Sequence, residues 1–143
     1  MSEQDNVKVA MALFDNLNAH DLDKNHALQS DDVKFEAPGA PGALDRAQGR
    51  AYTQGFITAF PDLHFDIKLT VAQGDHVVVN YVGTGTHTGP LTTPSGGTIP
   101  PTGKKAAVPG SNTLEIKNGK ITHSWVYFDM VTLLGQLGLM PPT

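Results

Sequence analysis

The run LHFDIKLTVAQGDHVVV, from Leu63 to Val79, decides the fold. Phe65, Ile67, Leu69 and Val71 alternate with His64, Asp66, Lys68 and Thr70, which is the period of a half-buried strand. Gly74-Asp75 then turns the chain. The next strand, His76 to Thr88, opens on Val77-Val78-Val79, a pattern of burial on both faces. Downstream the arrangement recurs. A strand from Ala106 to Lys117 meets an Asn118-Gly119 hairpin turn, and a strand from Ile121 to Phe128 follows. A loop rich in proline, glycine and threonine, Gly89 to Gly103, separates the two hairpins.

Upstream the period is helical. Val7, Met11, Phe14 and Leu17 form an apolar stripe that predicts a helix from Asn6 to Ala19, capped by Ser2 or Asp5. A shorter helical piece spans Asp23 to Leu28, and Val33, Phe35 and Ala37 alternate as a short strand. Pro38 to Gly42 reads as a loop. A second long helix, Gly49 to Phe60, buries Tyr52, Phe56, Ile57 and Phe60 and stops at Pro61-Asp62. The chain closes with a helix from Met130 to Leu137, ended by Gly138 and Pro141-Pro142. Helices first, then long antiparallel strands, then a terminal helix make an α+β domain with helices gathered on one sheet face. The 143 residues are expected to form a single domain, 1–143, with room for a cavity.

Composition narrows the function. The formal charge of −4 comes from 14 acidic against 10 basic residues, with the basic ones scattered, so a nucleic-acid partner is not expected. With no cysteine, disulfides and thiolate chemistry are excluded. The N-terminus has no basic and apolar leader and no window approaches a membrane span, which predicts a cytoplasmic protein with no membrane partner. The six histidines form no metal-ligand spacing, so no metal is expected. Gly97 to Lys105 fails as a phosphate loop, being one residue too long and carrying Lys105 where Ser or Thr belongs. No Gly-x-Ser-x-Gly elbow occurs.

Asp129 is the leading candidate for acid/base work. With Ile121 apolar and of the same parity, His123, Trp125, Tyr127 and Asp129 are expected on the inward face of the last strand. A desolvated Asp129 would have its pKa raised towards neutrality. Alternatively, Asp129 caps the final helix, which would lower its pKa. His87, at the end of a strand beside a glycine-flanked loop that could border a pocket, is a second catalytic candidate, able to orient a substrate carbonyl or relay a proton; alternatively it simply fixes that loop through backbone hydrogen bonds. Trp125 and Tyr127 could wall a pocket, with Phe14, Tyr52, Phe56 and Phe60 on its helical side; the same residues could equally be core. Asn80 and Glu115 are polar residues in mid-strand.

Several pieces fall in a recognisable order. They are Ala59-Phe60-Pro61-Asp62-Leu63, Gly74-Asp75 before a valine-rich strand, Gly85-Thr86-His87-Thr88-Gly89, and Pro101-Thr102-Gly103-Lys104. Gly119-Lys120-Ile121 with Trp125 and Asp129, then Leu133-Leu134 and Gln136-Leu137-Gly138, complete the series. Over nearly its full length the chain resembles the SnoaL-like polyketide cyclases, or ester cyclases, of the NTF2-like superfamily. The resemblance implies a cone of curved antiparallel sheet with N-terminal helices on its concave face. It also implies a homodimer or homotetramer, a small hydrophobic carbonyl substrate, and intramolecular aldol ring closure without a cofactor, Asp129 being the acid/base. The family's histidine on the preceding strand has no counterpart in Ser111, Asn112, Thr113, Leu114, Glu115, Ile116. The same superfamily holds non-catalytic binders of small molecules and related isomerases or hydrolases, so these remain rivals.

Overall fold

The computed structural model describes residues 2–92 and 96–139. The two predicted hairpins form as the turn residues dictate. β2 (His64–Gln73) and β3 (His76–Thr86) pair antiparallel, as do β6 (Lys105–Lys117) and β7 (Lys120–Phe128). Between β6 and β7, Asn118 and Gly119 both take positive φ, 52° and 76°, which the two-residue turn of a right-twisted hairpin requires. β3 then pairs antiparallel with β6 and joins the hairpins into one sheet.

The fifth strand departs from expectation. β1 (Gln29–Glu36) runs parallel to β7 at the sheet edge, so the order is β1-β7-β6-β3-β2 and the sheet is mixed rather than wholly antiparallel. No hairpin joins β1 to its neighbour, so no turn residue records its direction. The loop after His87 carries a small ladder of β4 (Leu91–Thr92) and β5 (Thr98–Ile99).

Caps set the helix boundaries. α1 (Glu3–Asn18) begins at a Ser2/Asp5 capping box. α3 (Arg46–Ala59) begins three residues earlier than the apolar stripe predicted, because Asp45 and Gln48 exchange hydrogen bonds as a second capping box. Between them lies α2 (Leu22–Leu28), and α4 (Met130–Gln136) closes the chain. Gly138, at φ 74°, follows α4 as expected; the predicted stop at Pro141-Pro142 lies outside the described residues. No described helix is long and apolar enough to cross a membrane.

α1 packs on β2, β3 and β6, α3 on β1 and β4, and α4 on β6. Two apolar clusters result. Ala10, Leu13, Phe14, Val77, Val79, Leu114 and Ile121 belong to the first; Ala59, Phe60, Ala106, Val108, Leu133 and Leu137 belong to the second. The gap between them is the cavity described next. The loop after β3 is tied to the end of α3 by Thr88 and Gly89, whose N–H groups both donate to the Ala59 carbonyl at 3.1 Å. Beyond the end of β7, the Gln136 side chain takes the place of a missing strand by bonding both backbone groups of Ala107, at 2.7 and 2.9 Å.

Candidate functional site

On β6 every second residue faces the helices: Ala106, Val108, Asn112, Leu114 and Ile116 are all buried. β7 begins in the same way at Ile121 but changes parity. Ile116 pairs with Ile121 while Glu115 pairs with His123, so Thr122 is an extra residue, a β-bulge. Past the bulge, Ser124, Val126 and Phe128 turn towards the helices, and His123, Trp125 and Tyr127 turn away. The inward face expected from Ile121 is therefore inverted from His123 onward. Trp125 and Tyr127 do not line the cavity: Tyr127 is 61% exposed, and Trp125 stacks on His123 at 3.7 Å. His123 in turn meets Glu36 at 2.6 Å, an outer-face cluster.

The cavity between the two clusters has a volume of about 160 Å³. Phe14, Tyr52, Phe56 and Phe60 line its helical side, as expected. Tyr81, Leu114, Ile121, Val126 and Phe128 line the sheet side. The phenol of Tyr52 donates to the Pro38 carbonyl at 2.7 Å, and burial pushes its pKa up. Burial likewise raises Tyr81, to about 12, so both phenols stay neutral at physiological pH.

One polar pair sits on the sheet side of the cavity. The Ser124 hydroxyl donates to the Asn112 Oδ1 at 3.0 Å, with both side chains buried. Both residues line the cavity, and the Asn112 amide oxygen is engaged by Ser124. Asn112 was legible in the sequence, since it shares the unbroken parity of Val108, Leu114 and Ile116; Asn80 and Glu115 drew attention instead. Neither of those lines the cavity, and Glu115 receives the Thr122 hydroxyl at 2.6 Å.

Asp129 occupies the capping position. Its carboxylate accepts from the Thr132 hydroxyl at 2.8 Å, the Thr132 N–H at 3.3 Å and the Val131 N–H at 2.9 Å. The Thr132 hydroxyl, then the backbone N–H groups, hold its pKa below the usual carboxylate value. It is exposed and does not line the cavity. A carboxylate with a lowered folded-state pKa stabilises the fold above the unfolded value, and this is lost as the pH falls through it. Asp129→Ala is thus expected to lower the melting temperature at pH 7, with the deficit shrinking below about pH 4. A deficit independent of pH would show that the charge contributes nothing.

His87 also lies off the cavity lining. It is fully buried, stacks on Phe60 at 5.2 Å, and holds the loop through its Nδ1 to Thr102 and its backbone to Gly103 and Lys104. Burial lowers its pKa, which keeps the ring neutral. The geometry is that of a loop-fixing histidine.

Residues 8–137 match the family described as SnoaL-like polyketide cyclase. Among solved structures, AclR from Streptomyces galilaeus, described as a candidate hydroxylase, superposes with a TM-score of 0.86 at 24% identity, covering 99% of this chain and 86% of that one. IdmH from Streptomyces antibioticus, a candidate polyketide cyclase, gives 0.79 at 27% identity over 93% of this chain and 98% of its own. A SnoaL-like candidate cyclase from Jannaschia sp. CCS1 gives 0.83 at 22% identity, covering 98% and 95%. A search of curated proteins found no match.

Proposed function

This chain belongs to the SnoaL-like polyketide cyclase family, and on that premise we propose that it closes a ring in a small hydrophobic carbonyl compound held in the cavity. The observation that carries this reading is the buried Asn112–Ser124 pair in the sheet side of the cavity lining, whose amide N–H groups would serve a bound carbonyl while Ser124 holds the amide oxygen. Aldol closure removes a proton from carbon between two carbonyls, joins that carbon to a third carbonyl of the same molecule, and returns a proton to the oxygen formed. It is redox-neutral. An N–H group aimed at the attacked carbonyl stabilises the charge that develops on its oxygen, and losing one such donor costs about 10²–10³ in rate. Ser124 fixes the amide orientation, because its hydroxyl occupies the oxygen and leaves the nitrogen to the substrate. The apolar walls fold the chain of the substrate, and holding two reacting carbons together supplies several kcal/mol, up to about 7–11 in ideal cases.

In this reading Asp129 positions α4 rather than moving protons. A poly-carbonyl substrate is acidic enough between its carbonyls to lose a proton to solvent before the carbon–carbon bond forms. The rival reading is a non-catalytic binder of the same kind of compound. It is favoured by the capped, exposed state of Asp129.

The test follows binding and product by mass spectrometry with a panel of linear triketones and polyketo esters. Wild type, Asn112→Leu and Asp129→Asn are compared. Product from wild type and Asp129→Asn, reduced about 10²-fold or more in Asn112→Leu, is the expected result. Product lost in Asp129→Asn alone, with binding kept, would return the acid/base role to that carboxylate. Binding by all three without product would make the protein a carrier.

A further inference from the structure

The cavity is apolar along its length but not at its mouth. Its exposed lining residues, His26, Asp45 and Arg50, all lie on α2 or at the start of α3, which places the opening there. Arg46 and Arg50 are one helical turn apart, so their side chains share a face of α3, and both line the cavity. A chamber of about 160 Å³ is close to the roughly 150 Å³ that holds a single aromatic ring. Any larger ligand must extend past it into the mouth.

We propose that this mouth is an anion subsite, and that the compound bound in the cavity carries a carboxylate there, paired with Arg46 and Arg50. The inference rests on the reading of the cavity as a site for a hydrophobic compound and adds the charged end of that compound. Each arginine currently holds a displaceable partner. Arg46 meets Asp31 at 3.2 Å and Arg50 meets Asp23 at 2.8 Å, yet the aspartate side chains are 99% and 87% exposed. Ion pairs of that kind contribute little, and a guanidinium has five N–H donors to offer a second acceptor. The carboxylate of Asp45, the acidic member of the lining, is engaged with the Gln48 N–H at the start of α3.

An independent observation points to the same place. Asn25, on α2, is only 5% exposed, lines the cavity, and has an Oδ1 without a hydrogen-bond partner. A buried amide left unpaired is costly; its oxygen cannot bond a carboxylate, but turned over the same amide presents its N–H groups as donors to one. A wholly apolar ligand would leave both this amide and the arginine donors unused.

The probes are 2-naphthoate and its methyl ester, titrated calorimetrically at pH 7 against wild type, Arg46→Gln/Arg50→Gln and Asp23→Asn/Asp31→Asn. An apolar cavity alone would favour the ester. The expected result is an acid bound about tenfold or more tightly than the ester by wild type. That preference should vanish in the arginine double variant while ester affinity holds within about twofold, and should grow when the competing aspartates are neutralised. Added salt should weaken the acid and leave the ester unchanged. Equal binding of acid and ester, or an acid preference that survives loss of both arginines, overturns the subsite and leaves the cavity reading intact. If neither probe binds, the cavity reading falls and the subsite with it. Unchanged melting temperatures in the variants exclude misfolding as the cause.

Discussion

Gly89→Ala is expected to destabilise the protein by more than roughly 3 kcal/mol, beyond the usual range for overpacking. A Cβ at position 89 would lie 2.0 Å from the Thr58 carbonyl oxygen and 3.0 Å from its carbon. Both are backbone atoms, so no side chain can rotate out of the way. The loop cannot retreat cheaply either, because Thr88 and Gly89 both donate to the Ala59 carbonyl and so clamp the loop to the end of α3. Urea denaturation should show a large drop in midpoint with the slope preserved. A change under about 1 kcal/mol would mean that the clamp is not part of the folded state.

The second large effect separates core from site among the aromatic residues that line the cavity. Phe14 is 2% exposed and meets Phe65 edge-on at 5.7 Å and Tyr81 at the same distance. Phe14→Ala should cost about 3–5 kcal/mol, as for other buried phenylalanines. Phe56 is only partly buried, on α3, lines the cavity, and meets Phe128 edge-on at 5.8 Å. Phe56→Ala should cost less than half as much stability. Its main effect should be on ligand binding, where losing one aromatic contact weakens 2-naphthyl probes by about threefold to tenfold. Equal stability losses from the two variants would place both rings in the core and remove Phe56 from the site.

Much of the architecture was written locally. The Gly74-Asp75 and Asn118-Gly119 turns and the stripe of α1 each depend on residues near one another in the chain, and each forms as expected. The period-two run at Phe65–Val71 does make a strand, but its register shifts between Ile67 and Leu69, so the alternation reverses and Leu69 and Val71 are exposed rather than sharing the face of Phe65 and Ile67. The helical side of the cavity was also legible locally: Tyr52, Phe56 and Phe60 recur at helical spacing. The sheet side was legible only on β6. There the alternation from Val108 to Ile116 runs unbroken, and it would have placed Asn112 inside. On β7 the single extra residue Thr122 reverses the alternation, and extrapolating from Ile121 put Trp125, Tyr127 and Asp129 on the wrong face. A bulge is set by pairing with the neighbouring strands, and its sequence looks like any other stretch of strand.

From its sequence alone this protein is an α+β chain with helices at both ends and two hairpins in the middle. Those features follow from short-range periodicity and turn chemistry, in which each residue acts through its close neighbours. Tertiary pairing alone decided three other things: the parallel placement of β1, the reversed face of β7, and the meeting of Asn112 with Ser124. It also brought α2 and α3 together, so that Arg46, Arg50 and Asn25 line one cavity. These depend on contacts between residues far apart in the chain, which periodicity in any one segment cannot encode.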